Sequence, residues 1–234
     1  MTKVITLVKT SGMTPAEFRD YWRGPWTSSL LEMPEVHGNL ARAALNYIIP
    51  SDLRSDEDMG AGEWAGVAEF WYYDRPSAER FISSQNVRRA IAAHTRAIPD
   101  HLHLHVREMA GWDLDGSRRG PKTMSFFLPR PGMTRADAID HWSNDHLRLT
   151  ARLGLSQKFA TYIQNHTVPE YHNANPHHDF AGGLEAWFAS ADAAASIFAD
   201  EDLLSELKDD EAVFLDQDNT MMFMVEEEMV FKNI

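Results

Sequence analysis

The chain says one thing twice, and that repetition limits what it can fold into more than any other feature. Gly12-Met13-Thr14 returns as Gly132-Met133-Thr134, Trp22 as Trp142, and the pair Asn46 and Pro50 as Asn165 and Pro169. Gly66, Glu69 and Trp71 then return as Gly182, Glu185 and Trp187, with the offset shrinking from 120 through 119 to 116. Small loop differences between duplicated domains produce this kind of drift. The 234 residues therefore divide into two domains of ordinary size, expected at 1–112 and 121–234. Within that frame Trp26 faces His146 and Tyr47 faces His166, so the second copy alone carries histidine at both matched places.

Local signals give each copy the same order of elements. Thr14-Pro15-Ala16-Glu17 is a helix start, with Thr as N-cap, Pro at the first helical position and Glu closing a capping box. Thr134-Arg135-Ala136-Asp137 repeats it more weakly. Strands are expected at 3–9, 40–49, 64–73 and 101–107, and again at 123–128, 159–168, 180–188 and 220–226. Helical patterns at 77–96 and 191–211 complete two βαββαβ units. That order makes an antiparallel sheet with both helices on one face, the ferredoxin-like arrangement of the α+β class. Gly111 to Gly120 reads as a glycine- and charge-rich linker. Segments 51–62 and 170–179 read as polar inserts where pocket rims would form.

Composition removes several classes of function. A net charge of −13 without a basic stripe argues against nucleic acid or an anionic membrane as partner. No cysteine is present, which excludes disulfide and thiolate chemistry and fits a reducing compartment. The N-terminal run is too short and punctuated for a signal peptide, and no stretch approaches the roughly 20 apolar residues of a spanning helix. A cytoplasmic protein is expected. Dinucleotide, Walker, Gly-x-Ser-x-Gly and zincin motifs do not occur.

The matched residues resemble the EthD family of dimeric α+β barrels. The resemblance rests on Gly132-Met133-Thr134, the run from Trp142 to His146, Asn165-His166, and Gly182 to Phe188. The first copy carries the same pattern less its two histidines, so the resemblance covers nearly the whole chain as a tandem pair. It implies two ferredoxin-like repeats fused into a pseudo-dimeric α+β barrel. It also implies an activity drawn from cofactor-free monooxygenases, polyketide cyclases and decarboxylases of aromatic polyketides.

The candidate site residues follow from phase. Ala138, Trp142, His146, Leu149 and Leu153 form one apolar helix stripe, so His146 points inward, where an imidazole moves protons near neutral pH. Trp26 fills the same place on the stripe of Phe18, Trp22, Leu30 and Met33. His141 and Asp145 are i, i+4 neighbours on another face, flanked by Asp137 and Arg148, which marks that face as solvated. His166 shares strand parity with Tyr162 and Gln164, forming either a polar pocket wall or a seam between sheets. Glu185 lies among aromatics, where a carboxylate needs a partner; its presence in both copies gives it a structural role too.

His146, His166 and Glu185 are thus the expected catalytic residues, with Tyr162, Trp142 and Trp187 binding substrate. His101, His103 and His105 share one strand face at a spacing compatible with metal binding or with a polar face. No metal and no cofactor are expected.

These residues lead to an expected cofactor-independent lyase, decarboxylating or eliminating on a small apolar aromatic or phenolic substrate. The alternatives are a cofactor-free monooxygenase of a phenolic or polyketide substrate, and a non-catalytic binder of a hydrophobic ligand. Further pairing into a homodimer stays open.

Overall fold

A computed structural model describes residues 2–49, 64–113, 118 and 120–233. The expected insert at 51–62 lies outside the described residues. The chain divides into two compact units, one of Met1–Ile48, Glu63–Arg107 and Glu226–Ile234, the other built mainly on Glu108–Val225. Each is a mixed helix and strand structure.

In the first unit, β1 (Thr2–Lys9), β2 (Leu40–Ile49), β3 (Trp64–Tyr72) and the start of β4 (His101–Asp113) form an antiparallel sheet in the order β4-β1-β3-β2. Helices α1 (Pro15–Tyr21), α2 (Thr27–Leu31), α3 (Arg75–Ser83) and α4 (Gln85–Ala93) accompany it. Phe18, Trp22, Trp26 and Leu30 pack with Val4, Leu45, Phe70 and Tyr72 in one core. The second unit repeats the plan. Strands β5 (Lys122–Phe127), β6 (Phe159–Thr167) and β7 (Gly182–Phe188) pair in the order β5-β7-β6, and β8 (Met221–Lys232) borders β5. Its helices are α5 (Arg135–His141), α6 (Leu147–Arg152), α7 (Leu155–Lys158), α8 (Ala191–Phe198) and α9 (Glu201–Phe214).

The repeated letters turn out to be packing instructions. A Cβ on Gly66 would lie 2.4 Å from the Trp22 ring, and one on Gly182 would lie 2.9 Å from the Trp142 ring and 2.6 Å from the Asn165 carbonyl. Each glycine clears the sheet for its own tryptophan. Lys3 pairs with Glu69 at 2.9 Å and Lys122 with Glu185 at 2.8 Å, all four side chains essentially without solvent exposure. Asn46 donates to Glu69 at 2.9 Å, and Asn165 donates to Glu185 at 2.8 Å. The Lys122 ammonium also lies 4.3 Å from the Trp187 ring, as Lys3 lies 4.8 Å from Trp71. A buried charge needs such partners, and here both copies supply the same set.

Three boundaries differ from expectation for local reasons. Helix 77–96 breaks at Ser84, whose extended backbone and side chain cap α4 through Val87 N–H. Asp200 likewise caps α9 through Leu203 N–H, dividing the helix expected at 191–211. Gly111 is not linker: β4 runs on to Asp113, and a Cβ there would sit 2.7 Å from Tyr162. The glycine permits close approach rather than flexibility. Next to it Trp112 stacks on Tyr162 at 4.5 Å and donates to the Phe159 carbonyl. Among the described residues, no helix is long and apolar enough to cross a membrane.

Candidate active site

Both copies interrupt their first helix with a π turn, at Trp22–Trp26 and at Trp142–His146. A π turn departs from the i→i−4 ladder, and the carbonyl that opens it can take a further donor. In the first copy Trp22 O accepts from the Thr27 backbone N–H and, at 2.6 Å, from Thr27 Oγ1. In the second, Gln164 Nε2 on β6 donates to Trp142 O at 3.0 Å. The wide turn also corrects the helix phase. Buried positions run Ala138, Trp142, His146 and Thr150; Leu153 packs against the core as expected, while Leu149 turns to the groove and leaves the stripe assigned to it from a uniform α period.

His146 closes the π turn and points at α9. Its Nδ1 lies 2.7 Å from Asp210 Oδ2, and His141 Nε2 lies 3.0 Å from Asp210 Oδ1. One carboxylate thus bridges two imidazoles. Phe214, one turn further along α9, carries both rings, stacked under His141 at 5.1 Å and tilted against His146 at 5.4 Å. Burial opposes the charge on Asp210, but the bonds from His146 and His141 outweigh it and hold the carboxyl below its usual value. An ionised carboxylate only accepts, so both histidines donate to it. When neutral, His146 is then the Nδ1–H tautomer, with its lone pair on Nε2.

Asp210 also lines an open groove of about 500 Å³ with Asp145, Arg148, Leu149, Arg152, Glu206 and Asp209. The wall is largely charged. Arg148 is paired with Asp145, and Arg152 with Glu206 at 2.9 Å.

The structure separates the expected catalytic set. His166 lies on the helix-facing side of β6, with Nε2 at 3.1 Å from Gln164 Oε1 and 3.4 Å from Ser143 Oγ, against the Trp142 ring. Through Gln164 it adjoins the π turn and not the carboxylate bridge. Tyr162 shares that face; its hydroxyl is buried beside Trp142 and Gln164, and burial pushes its ionisation well up. Trp142 packs under α5 over Gly182. Glu185 and Trp187 are on the opposite side of the sheet, committed to Lys122, so strand alternation removes them from His146. His141, assigned to a solvated face, is instead mostly buried against Asp210.

Sequence reading missed Asp210 altogether. Its signal was a carboxylate on the stripe Leu203, Leu207, Asp210, Phe214, which only the pairing of α9 with the π turn explains.

Two histidine groups resolve into local roles. Asp179 anchors the 170–179 loop, accepting from Asn173 N–H at 2.8 Å and pairing with Arg135 at 2.7 Å and His172 at 3.1 Å. On β4, His101 and His103 lie ring to ring at 5.0 Å, and His103 Nδ1 meets Thr6 Oγ1 at 2.8 Å. Enclosure by protein atoms, then the neighbouring His101, push the His103 imidazole down to about 3. Its folded value lies below the unfolded one near 6.5. Between those values the unfolded chain takes a proton the native chain refuses, so stability falls as pH falls through that window. The expected slope is no more than about 1 kcal/mol per pH unit, since the ring keeps some solvent contact. Urea midpoints taken between about pH 7.5 and pH 4.5 should fall less steeply in His103→Leu; equal slopes would remove His103 as the cause.

A mixed helix–strand domain with a carboxylate-bridged histidine pair defines the class of this half. Residues 130–218, within the second repeat, match the sequence model of the EthD domain. No curated protein matches the sequence. Among solved structures, an anthrone oxidase-like protein aligns over 100% of this chain and 94% of its own, at 9% identity and a TM-score of 0.64. A candidate monooxygenase from Fusobacterium nucleatum aligns over 100% and 98%, at 5% identity and a TM-score of 0.58. A candidate monooxygenase from Lactobacillus acidophilus aligns over 97% and 94%, at 9% identity and a TM-score of 0.50. At these identities the likeness is one of fold. The expected decarboxylating lyase finds no counterpart in it: these neighbours bear the names of oxygenases and an oxidase-like protein, which overturns that reading.

Proposed function

We propose that the second repeat is a cofactor-free monooxygenase acting on a phenolic or polyketide-type substrate bound in the groove beside Asp210. The observation that carries this reading is the bridge from Asp210 to His146, which leaves an oriented imidazole with a basic Nε2. The groove is of a size that holds a small molecule; Asp210 and not His146 lines it, so a substrate must reach Nε2 past Asp210. The names of the fold neighbours support oxygen chemistry over elimination. We further propose that each repeat forms half of a pseudo-dimeric α+β barrel, which the near-complete overlap with those neighbours supports.

The chemistry balances without another reactant. His146 Nε2 takes a proton from an acidic methylene next to a conjugated ring system, leaving a delocalised anion. The anion gives an electron to dioxygen, and the radical pair joins to form a C–O bond. The peroxide anion so formed takes the proton back from His146, and the hydroperoxide loses water across its remaining C–H bond to become a carbonyl. One oxygen atom ends in the product and the other in water, so carbon supplies all four electrons that dioxygen accepts.

Anthrone is the natural probe, given the neighbour that bears its name. Oxygen-electrode and product measurements should show one dioxygen consumed per anthraquinone formed, at a rate above the spontaneous one. Enzyme-dependent turnover of the probe under strict anaerobiosis, or no enzyme-dependent oxygen uptake, would remove the proposal.

A further inference from the structure

We infer that His141 is a positioning residue of this site: by donating to Oδ1 of Asp210 it fixes the carboxylate so that Oδ2 accepts from His146. This rests on the acid–base reading above and adds a residue to it. Asp210 sits on the wall of an open groove. A carboxylate held at one oxygen alone can rotate about its terminal side-chain bond, a broad torsion. His141 prevents that rotation by taking the second oxygen at 3.0 Å.

The ring that does this is itself fixed. It stacks on Phe214 at an interplanar angle of 25°, and its other nitrogen stands 3.7 Å from Asp145 Oδ2, beyond hydrogen-bond range. The first copy shows what the position does without a carboxylate. There Tyr21 replaces His141, and its hydroxyl meets His94 Nδ1 at 2.6 Å, while His94 Nε2 reaches Ser29 Oγ at 3.1 Å. Ser29 spends its own proton on the Trp26 carbonyl at 2.7 Å, so it accepts from His94, and Tyr21 donates to Nδ1. That chain is neutral and holds a tautomer of the opposite sense. The bridging carboxylate is what gives the second copy a base.

The full-length protein tests this through side-chain nitrogen NMR of His146 at about pH 8, above the ordinary imidazole range. Wild type should show His146 protonated at Nδ1. In His141→Phe, which keeps the stack on Phe214 but cannot donate, the population should move toward Nε2–H. Anthrone turnover should drop about tenfold in kcat with KM within about twofold, because geometry and not affinity is lost. His141→Gln keeps an N–H donor and should return most of both signals. An unchanged His146 tautomer in His141→Phe overturns the inference, as does a loss of kcat that His141→Gln fails to restore. The NMR readout needs no substrate. A tautomer shift in a protein that turns over no probe sinks the oxygenase and leaves the positioning role standing; normal turnover with a fixed tautomer does the reverse.

Discussion

Glu185→Gln is expected to lower the unfolding free energy by about 3–5 kcal/mol, read as a shift in the urea midpoint followed by tryptophan fluorescence. The change replaces the carboxylate 2.8 Å from the Lys122 ammonium with a neutral amide. Gln keeps one oxygen, so Lys122 and Asn165, which use separate carboxylate oxygens, no longer each have one. The cost comes mainly from a buried charge that is compensated less well. Replacing both ends with apolar residues, Lys122→Met with Glu185→Leu, should therefore recover most of the loss. Glu69→Gln should behave alike in the first unit, where Lys3 and Asn46 play the same parts. A midpoint unchanged in Glu185→Gln would mean the pair is not the structural element argued for it, and would reopen Glu185 as a group kept for chemistry.

Asp210→Asn should depress kcat for the anthrone probe by about 10²–10⁴-fold, close to 3–5 kcal/mol of transition-state stabilisation. The amide can donate where the carboxylate only accepts, so His146 would turn to the Nε2–H tautomer and lose its basic nitrogen. His146→Ala should cost about as much, and the double variant little more, because the two act as one device. The pH profile carries a matching sign. Asp210 is held below its usual value, so the interaction is complete above the unfolded carboxyl pKa and fails as pH falls through the lower folded value. Activity within tenfold of wild type in Asp210→Asn would take the carboxylate out of the mechanism.

The repeat made much of the scaffold legible because its letters are paired contacts. Trp with Gly, and Asn with Glu, recur since each pair touches in each unit. The Thr14–Glu17 capping box appears as read, with both reciprocal bonds formed. The inward placement of His146 was also legible. Its partner was not, because Asp210 lies outside the matched residues, on a helix whose pairing with the π turn no spacing reveals. A second loss came from assuming one helical period throughout, which placed Leu149 in the stripe. Composition misled at Gly111, where a glycine that admits a tyrosine ring resembled one that loosens a linker. Glu185 was half legible: its repetition argued for structure, while its catalytic assignment ignored which side of the sheet its parity selects.

The π turn bears on ancestry. Such a turn is a helix with one residue more than its hydrogen-bond ladder accommodates, and both copies have it at the same place. By parsimony the surplus residue was present before the gene doubled. The two copies add different donors at the carbonyl that opens the turn, one a hydroxyl and the other an amide reaching from a strand. At least one of those solutions, and at least one side of the contrast between Trp26 and His146, arose after the copies parted. On this order of events the bend is inherited and the side chains around it diverged.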